Sequence, residues 1–81
     1  MTIIDVRISG EYREGCVSGS INIPHHEIHL RIEKIKQLPQ PVILCFASGN
    51  RSSQTTALLR SNGVACKNGG SWFEVSNKIE L

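Results

Sequence analysis

Short, continuously apolar segments of the chain alternate with segments in which apolar residues recur every three or four positions, as in a helix. Residues 1–7 and 20–23 each predict a short strand, and Pro24 closes the second because proline cannot donate to a sheet ladder. Residues 42–46 are continuously apolar, which is typical of a central parallel strand covered on both faces. Residues 64–67 predict a fourth strand, followed by a turn at residues 68–70.

Four further segments predict helices, three of them between these strands and one after the last strand. Residues 9–14 predict a short turn of helix that Ser9 caps. Residues 27–38 carry isoleucines and a leucine at steps of four, three and three, which is one face of an amphipathic helix. Residues 52–62 predict a helix whose inward side chains are Ala57, Leu58 and Leu59. Residues 71–77 predict a last helical turn, anchored by Trp72 and Val75.

This alternation predicts an α/β fold: a small, central, mainly parallel sheet with helices on both faces, forming one domain over residues 1–81. The longest apolar run, residues 42–47, is far shorter than the roughly 20 residues that span a bilayer. The N-terminus lacks the basic and long apolar regions of a signal peptide. We therefore expect a cytoplasmic protein that does not enter a membrane.

Composition narrows the function classes. The net charge is +2, with nine Lys and Arg against seven Asp and Glu, and the basic residues are scattered. A nucleic-acid-binding domain usually shows a basic cluster, so no nucleic-acid partner is expected. The three cysteines are odd in number and widely spaced, which does not resemble a disulfide framework. They are interpreted as reduced thiols, one of which could be a nucleophile.

The strand at residues 42–46 leads through a polar loop, residues 47–51, directly into a helix. Ligands of open α/β sheets bind outside the carboxyl ends of the strands. Loop N–H groups and the positive end of the following helix favour an anion there. Gly49 permits unusual backbone angles, and Arg51 supplies a fixed charge with a bidentate donor fork. An ordinary connection with a turn glycine and a surface arginine is an equally good interpretation of this segment alone.

Several segments, in order, resemble the rhodanese signature Asp-Val-Arg, Glu-Tyr, Gly-His-Ile-x-Gly-Ala-x-Asn-Ile-Pro and its active loop. They are Asp5-Val6-Arg7, Glu11-Tyr12, residues 15–24, residues 48–52 and residues 68–72. The family's usual strand and helix before Asp-Val-Arg are absent. The chain is therefore identified as a minimal, single-domain member of the rhodanese-like family.

The resemblance implies a sulfurtransferase. In the family, a loop cysteine takes sulfur from a small anionic donor such as thiosulfate or from a persulfide-carrying protein, forms a persulfide, and passes the outer sulfur to an acceptor. It implies no cofactor and no metal. The implied loop comprises Phe46, Ala47, Ser48, Gly49, Asn50, Arg51 and Ser52. Cys45 and Arg51 are the catalytic candidates, and Asp5 and Arg7 are supporting residues.

The loop departs from the family at one position. The family loop reads Cys-x-x-Gly-x-Arg, and counting back from Arg51 without a gap puts Phe46 at the nucleophile position. Cys45 would then point to the opposite face of the sheet. The sequence leaves three alternatives: a catalytically inactive module that binds an anion or a protein partner, sulfur transfer by Cys45 after local adjustment, or a seven-residue Cys-x5-Arg loop resembling phosphatases and arsenate reductases.

Other candidate residues have simpler explanations. Cys16 replaces the histidine of the family motif, and Cys66 lies in a predicted strand, so both are interpreted as small buried residues. His25, His26 and His29 do not reproduce the zinc-protease spacing His-Glu-x-x-His. They are interpreted as the solvated start of a helix, and no metal site is predicted.

Overall fold

A four-stranded sheet organises the chain. The computed structural model describes residues 1–47 and 49–79, and for residues 49–51 and 79 it describes only the backbone. The strands are β1 (Thr2–Asp5), β2 (Ile21–Asn22), β3 (Val42–Cys45) and β4 (Cys66–Gly70). Their order is β2-β1-β3-β4, and all three neighbouring pairs are parallel. The predicted α/β class is confirmed.

Helical segments connect the strands, a last helix follows β4, and together they cover both faces of the sheet. They are α1 (Ser9–Glu14), a 3₁₀ helix (His25–Leu30), α2 (Ile32–Lys36), α3 (Gly49–Ser61) and α4 (Trp72–Ile79). Within the described ranges, none of these helices is long and apolar enough to cross a membrane. Parallel neighbours require such crossover connections, because a tight turn can join only antiparallel strands.

Side chains of β3 alternate between two core clusters, one on each face of the sheet. Leu44 and Phe46 belong to the larger cluster, which also holds Leu59 of α3. Cys45 belongs to the smaller cluster with Val75 of α4. Successive residues of a strand point to opposite faces, so this alternation is what a covered parallel strand requires.

The end of β1 is fixed by an ion pair between Asp5 and Arg7. Arg7 donates from Nε to Asp5 Oδ1 at 2.9 Å and from Nη2 to Oδ2 at 2.7 Å. The side chains are 0% and 8% exposed for Asp5 and Arg7, respectively. Arg7 Nη2 also donates to the carbonyl of Gly15 at 2.6 Å. The pair thereby ties the chain after α1 to the sheet.

The segment predicted as one helix over residues 27–38 is two shorter elements. The 3₁₀ helix precedes α2, and Arg31 between them has φ −116° and ψ 10°, outside helical geometry. Ile28 and Ile35 are still buried, at 1% and 0% exposure. Apolar residues at steps of three suit a 3₁₀ helix as well as an α-helix, so the spacing identified the buried face but not the helix type.

Helix α3 differs from the prediction in its start and its buried face. It begins at Gly49 rather than Ser52, so the predicted loop over residues 47–51 is shorter than expected. Among the side chains of α3 that the structure describes, from residue 52 onward, Ser52, Thr55, Thr56 and Leu59 are buried. Ala57 and Leu58, predicted inward, are exposed. Thr56 donates its hydroxyl to the carbonyl of Ser52 at 2.7 Å, so a buried hydroxyl here has a partner within its own helix.

Residues predicted as a turn, 68–70, form the second half of β4. The register of β4 against β3 shifts at this point, so that Cys45 pairs with Gly70. Arg60 of α3 donates to the carbonyl of Cys66, at the start of β4, at 3.1 Å. The glycines that suggested a turn instead allow neighbouring groups to approach the backbone closely.

The start of α1 also differs in detail. Ser9 is the first helical residue rather than the N-cap, which is Ile8, and no side chain caps this end of the helix.

Gly69→Ala should destabilise the fold. An alanine Cβ would lie 2.6 Å from Val75 Cγ2, 2.7 Å from Ile43 Cγ2 and 2.9 Å from the carbonyl oxygen of Leu44, which belongs to the backbone. Overpacking of this kind costs about 1–3 kcal/mol. Urea unfolding would measure the loss, and Gly10→Ala is the control, because nothing lies within 4 Å of its Cβ. Equal stability of both variants would contradict the close approach.

Asp5→Asn should also destabilise the fold, because it leaves the guanidinium of Arg7 without its counter-charge. Removing one partner of a buried pair costs about 3–5 kcal/mol. Glu33→Gln is the control: it breaks the exposed pair with Lys36, and such pairs are worth about 1 kcal/mol or less. Thermal unfolding should separate the two variants clearly, and similar midpoints would argue that the Asp5 pair contributes nothing.

Candidate functional site

A pocket of about 240 Å³ lies at the carboxyl end of the sheet. Its lining comes from the segment after β3, the first turn of α3, the end of β4 and the start of α4: Phe46, Ala47, Ser52, Asn68, Gly70, Ser71 and Glu74. Parallel strands bring their carboxyl ends to one edge, where their loops meet. The pocket therefore lies where the sequence predicts a site.

Phe46 is the first residue after β3 and lines this pocket. Its N–H donates to the carbonyl of Gly70 at 2.9 Å, so β4 fixes its backbone. Its side chain is 5% exposed and belongs to the larger core cluster. The phenyl ring thus forms the boundary between the pocket and the core on the α3 side.

Cys45 lies on the opposite face. Its side chain is fully buried in the smaller cluster beside Val75. In register it pairs with Asp5 of β1, and directly paired residues of neighbouring strands point to the same side. Burial, followed by the nearby Asp5 carboxylate, raises the pKa of the Cys45 thiol to about 12, although Arg7 acts in the opposite direction. At neutral pH, Cys45 is therefore a buried neutral thiol.

The rest of the predicted loop is only partly described. Ala47 is exposed, Ser52 is buried, and both line the pocket. Ser48, and the side chains of Asn50 and Arg51, lie outside the described residues, and of Gly49 only the helical backbone is described. The backbone of residues 49–51 belongs to the first turn of α3, so the positive end of a 13-residue helix lies beside the pocket.

The predicted supporting residues, Asp5 and Arg7, lie on the same side of the sheet as Cys45. The hydrogen bond with Asp5 raises the pKa of Arg7 further above its usual value, against the opposing effect of burial. The guanidinium carbon of Arg7 also lies 5.9 Å from the ring centroid of Trp72. These contacts hold the elements around the pocket in place, and neither side chain lines it.

The remaining cysteines lie away from this pocket's described lining. Cys16 is half-buried, and Cys66 is buried in the larger cluster. Burial raises the pKa of Cys66, and Arg60 partly offsets this effect. His25, His26 and His29 lie in the 3₁₀ helix rather than at the start of an α-helix. Within the described ranges, no group of three or more histidine, cysteine or acidic residues could hold a metal ion.

Three polar pocket residues were not among the site residues that the sequence predicted: Asn68, Ser71 and Glu74. A signal for two of them was present. Ser71 and Glu74 have the Ser-x-x-Glu spacing of a capping box, and Ser71 Oγ accepts the N–H of Glu74 at 3.2 Å. Asn68 Oδ1 accepts the N–H of Gly70 at 3.0 Å. These bonds fix the polar wall of the pocket on the β4 side.

The described lining offers hydrogen-bonding groups to a ligand but contains no thiol. Its hydroxyl and amide groups can donate hydrogen bonds, the start of α3 favours negative charge, and Phe46 supplies an apolar wall. A persulfide-forming step needs a thiolate as nucleophile. The described wall of this pocket holds no group that could take that role.

Solved structures resemble this chain closely. A crystal structure of a rhodanese-related protein from Thermoplasma volcanium has a TM-score of 0.78 and 27% sequence identity, covering 96% of this chain and 77% of that one. Reduced CoADR-RHD from Bacillus anthracis has a TM-score of 0.70 and 27% identity. The match covers 95% of this chain but only 14% of that protein.

Family membership follows from the sequence as well as from the fold. No curated protein matches the chain. The profile of the Rhodanese-like domain, however, matches residues 1–77, which include the sheet, the pocket and the first turns of α4. The chain therefore belongs to the rhodanese-like domain family.

Proposed function

We propose that this rhodanese-like domain is a binding module: its pocket holds a small, sulfur-bearing anionic group without forming a persulfide of its own. The observation that carries the proposal is that Cys45, the last residue of β3, and Phe46, the next residue, lie on opposite faces of the sheet. Phe46 lines the pocket, and the Cys45 thiol is buried on the other side. The pocket and the positive end of α3 beside it support the binding of an anion.

The ligand belongs to the class that the family resemblance implies. That class comprises small anionic sulfur donors, of which thiosulfate is the simplest, and the sulfur-bearing group of a persulfide-carrying protein. The helix start favours its negative charge, and the hydroxyl and amide groups of Ser52, Asn68 and Ser71 are the polar groups that would orient it.

Sulfur transfer by Cys45 is the alternative. It requires the Cys45 thiolate to attack the outer sulfur of thiosulfate, releasing sulfite and leaving a cysteine persulfide. Chemistry of the phosphatase or arsenate reductase type requires the same thiolate. Complete burial and a pKa of about 12 disfavour both activities, because the attacking anion must form and must reach the ligand.

Cys45 should be unreactive in the folded protein. With iodoacetamide at pH 8, we expect modification of half-buried Cys16 well before that of Cys45, and modification of all three cysteines in urea. The raised pKa of Cys45 favours the folded state below about pH 9 and loses that contribution as pH rises towards about 12. Peptide mapping by mass spectrometry measures the order of modification. Rapid labelling of Cys45 at pH 8 would contradict its burial.

Incubation with thiosulfate should leave the mass of the wild-type protein unchanged. A gain of one sulfur atom on Cys45, removed by cyanide, would overturn the proposal and establish sulfur transfer. Because Cys16 and Cys66 are also present, the sulfur must be located by peptide mapping.

Phe46→Cys should gain the missing step. The new thiol would lie at the pocket wall beside the positive end of α3, which lowers the pKa of a cysteine placed there. We expect one added sulfur on residue 46 after incubation with thiosulfate, detected by intact mass and reversed by cyanide. Phe46→Ser is the matched control, because it makes a similar cavity without a thiol. Both variants should lose about 3–5 kcal/mol of stability, so folding is checked by circular dichroism.

A further inference from the structure

Glu74 places a carboxylate at the wall of the pocket. Glu74 lies in the first turn of α4. Its Oε1 accepts the hydroxyl of Ser71 at 3.3 Å, while its own N–H donates to the same oxygen of Ser71. These two contacts hold the carboxylate of the exposed Glu74 side chain beside Gly70, and Glu74 is one of the residues that line the pocket.

Gly70 makes this position possible. It has φ +88°, a conformation that side chains disfavour, and a Cβ at this residue would collide with the Glu74 carboxyl group. The carbonyl of Gly70 accepts the N–H of Phe46. The carboxylate therefore lies against the backbone of Gly70, whose carbonyl group is hydrogen-bonded to Phe46, the residue at the family's nucleophile position.

Among the lining residues that the structure describes, Glu74 alone is charged. Its negative charge opposes the effect of the α3 start, which favours anions. A bare dianion entering the pocket meets this repulsion with both of its charges. A ligand that carries an ammonium group beside its anionic group can instead form an ion pair with the carboxylate.

On the basis of the proposed function, we infer that Glu74 is a specificity-determining residue. It disfavours inorganic dianions such as thiosulfate and selects a sulfur-bearing ligand of the amino-acid type, in which an ammonium group pairs with the Glu74 carboxylate. The sulfur-bearing group then occupies the part of the pocket between Phe46 and the start of α3.

Three probes separate net charge from the ammonium contact. Thiosulfate is the bare dianion. S-sulfocysteine carries the same sulfur group on an amino acid and has one net negative charge, and S-sulfo-2-mercaptoethanol has the same net charge and sulfur group without the ammonium. Dissociation constants for all three are measured by NMR titration of the wild-type protein, Glu74→Gln and Glu33→Gln. Gln retains the capping-box spacing at position 74, so the first variant should fold normally. Glu33 is 85% exposed and outside the pocket lining, so the second makes the same charge change elsewhere.

The wild-type protein should bind S-sulfocysteine more tightly than either other probe. Glu74→Gln should bind thiosulfate roughly tenfold more tightly than the wild type, because the variant removes the repulsion between the Glu74 carboxylate and the dianion. The same variant should lose its preference for S-sulfocysteine over the ammonium-free probe. Glu33→Gln should behave like the wild type.

Each contrary outcome has one meaning. Unchanged ratios among the probes in Glu74→Gln, or the same change in Glu33→Gln, would overturn the role of Glu74 and leave the proposed binding function standing. Absence of binding of all three probes to the wild type and to Glu74→Gln at millimolar concentration would overturn the proposed function, and this inference with it.

Discussion

The two-residue period of a β-strand governs the chemistry available to this domain. At the end of β3, Cys45 and Phe46 are neighbours in the chain, yet they belong to different core clusters on opposite faces of the sheet. The register of β3 against both neighbouring strands fixes which residue faces which way. Because both faces are covered, a shift by one residue would exchange every buried side chain of the strand.

The sequence predicted the order of the elements well, for physical reasons, and the candidate pocket lies at the sheet edge where the sequence predicts a ligand-binding loop. Residues 42–46 form one continuous apolar run, and a run of this kind marks a central parallel strand whichever helices cover it. The segment after that strand must then lie at the carboxyl edge of the sheet. The opposite directions of Cys45 and Phe46 follow from the same period and needed no tertiary information.

The predictions failed where tertiary context decides. The buried face of α3 carries Ser52, Thr55 and Thr56, which hydropathy assigns to solvent, while Leu58 is exposed. A helix can satisfy a buried hydroxyl through its own carbonyl groups, so polar residues there need no partner elsewhere. Glycines at 69 and 70 likewise suggested a turn, but they serve close approach by Val75 and Glu74. Such contacts join segments that no local pattern connects.

The hydrogen bond from Arg60 to Cys66 has a consequence for association between molecules. β4 is an edge strand, and the outward backbone groups of an edge strand are a template on which another chain can add a strand. Arg60 occupies one of these acceptors, and the exposed Lys67 places a charge on the same strand. The edge is thereby less suited to pairing with a second sheet, and this protection against aggregation comes from a helix whose other end borders the pocket.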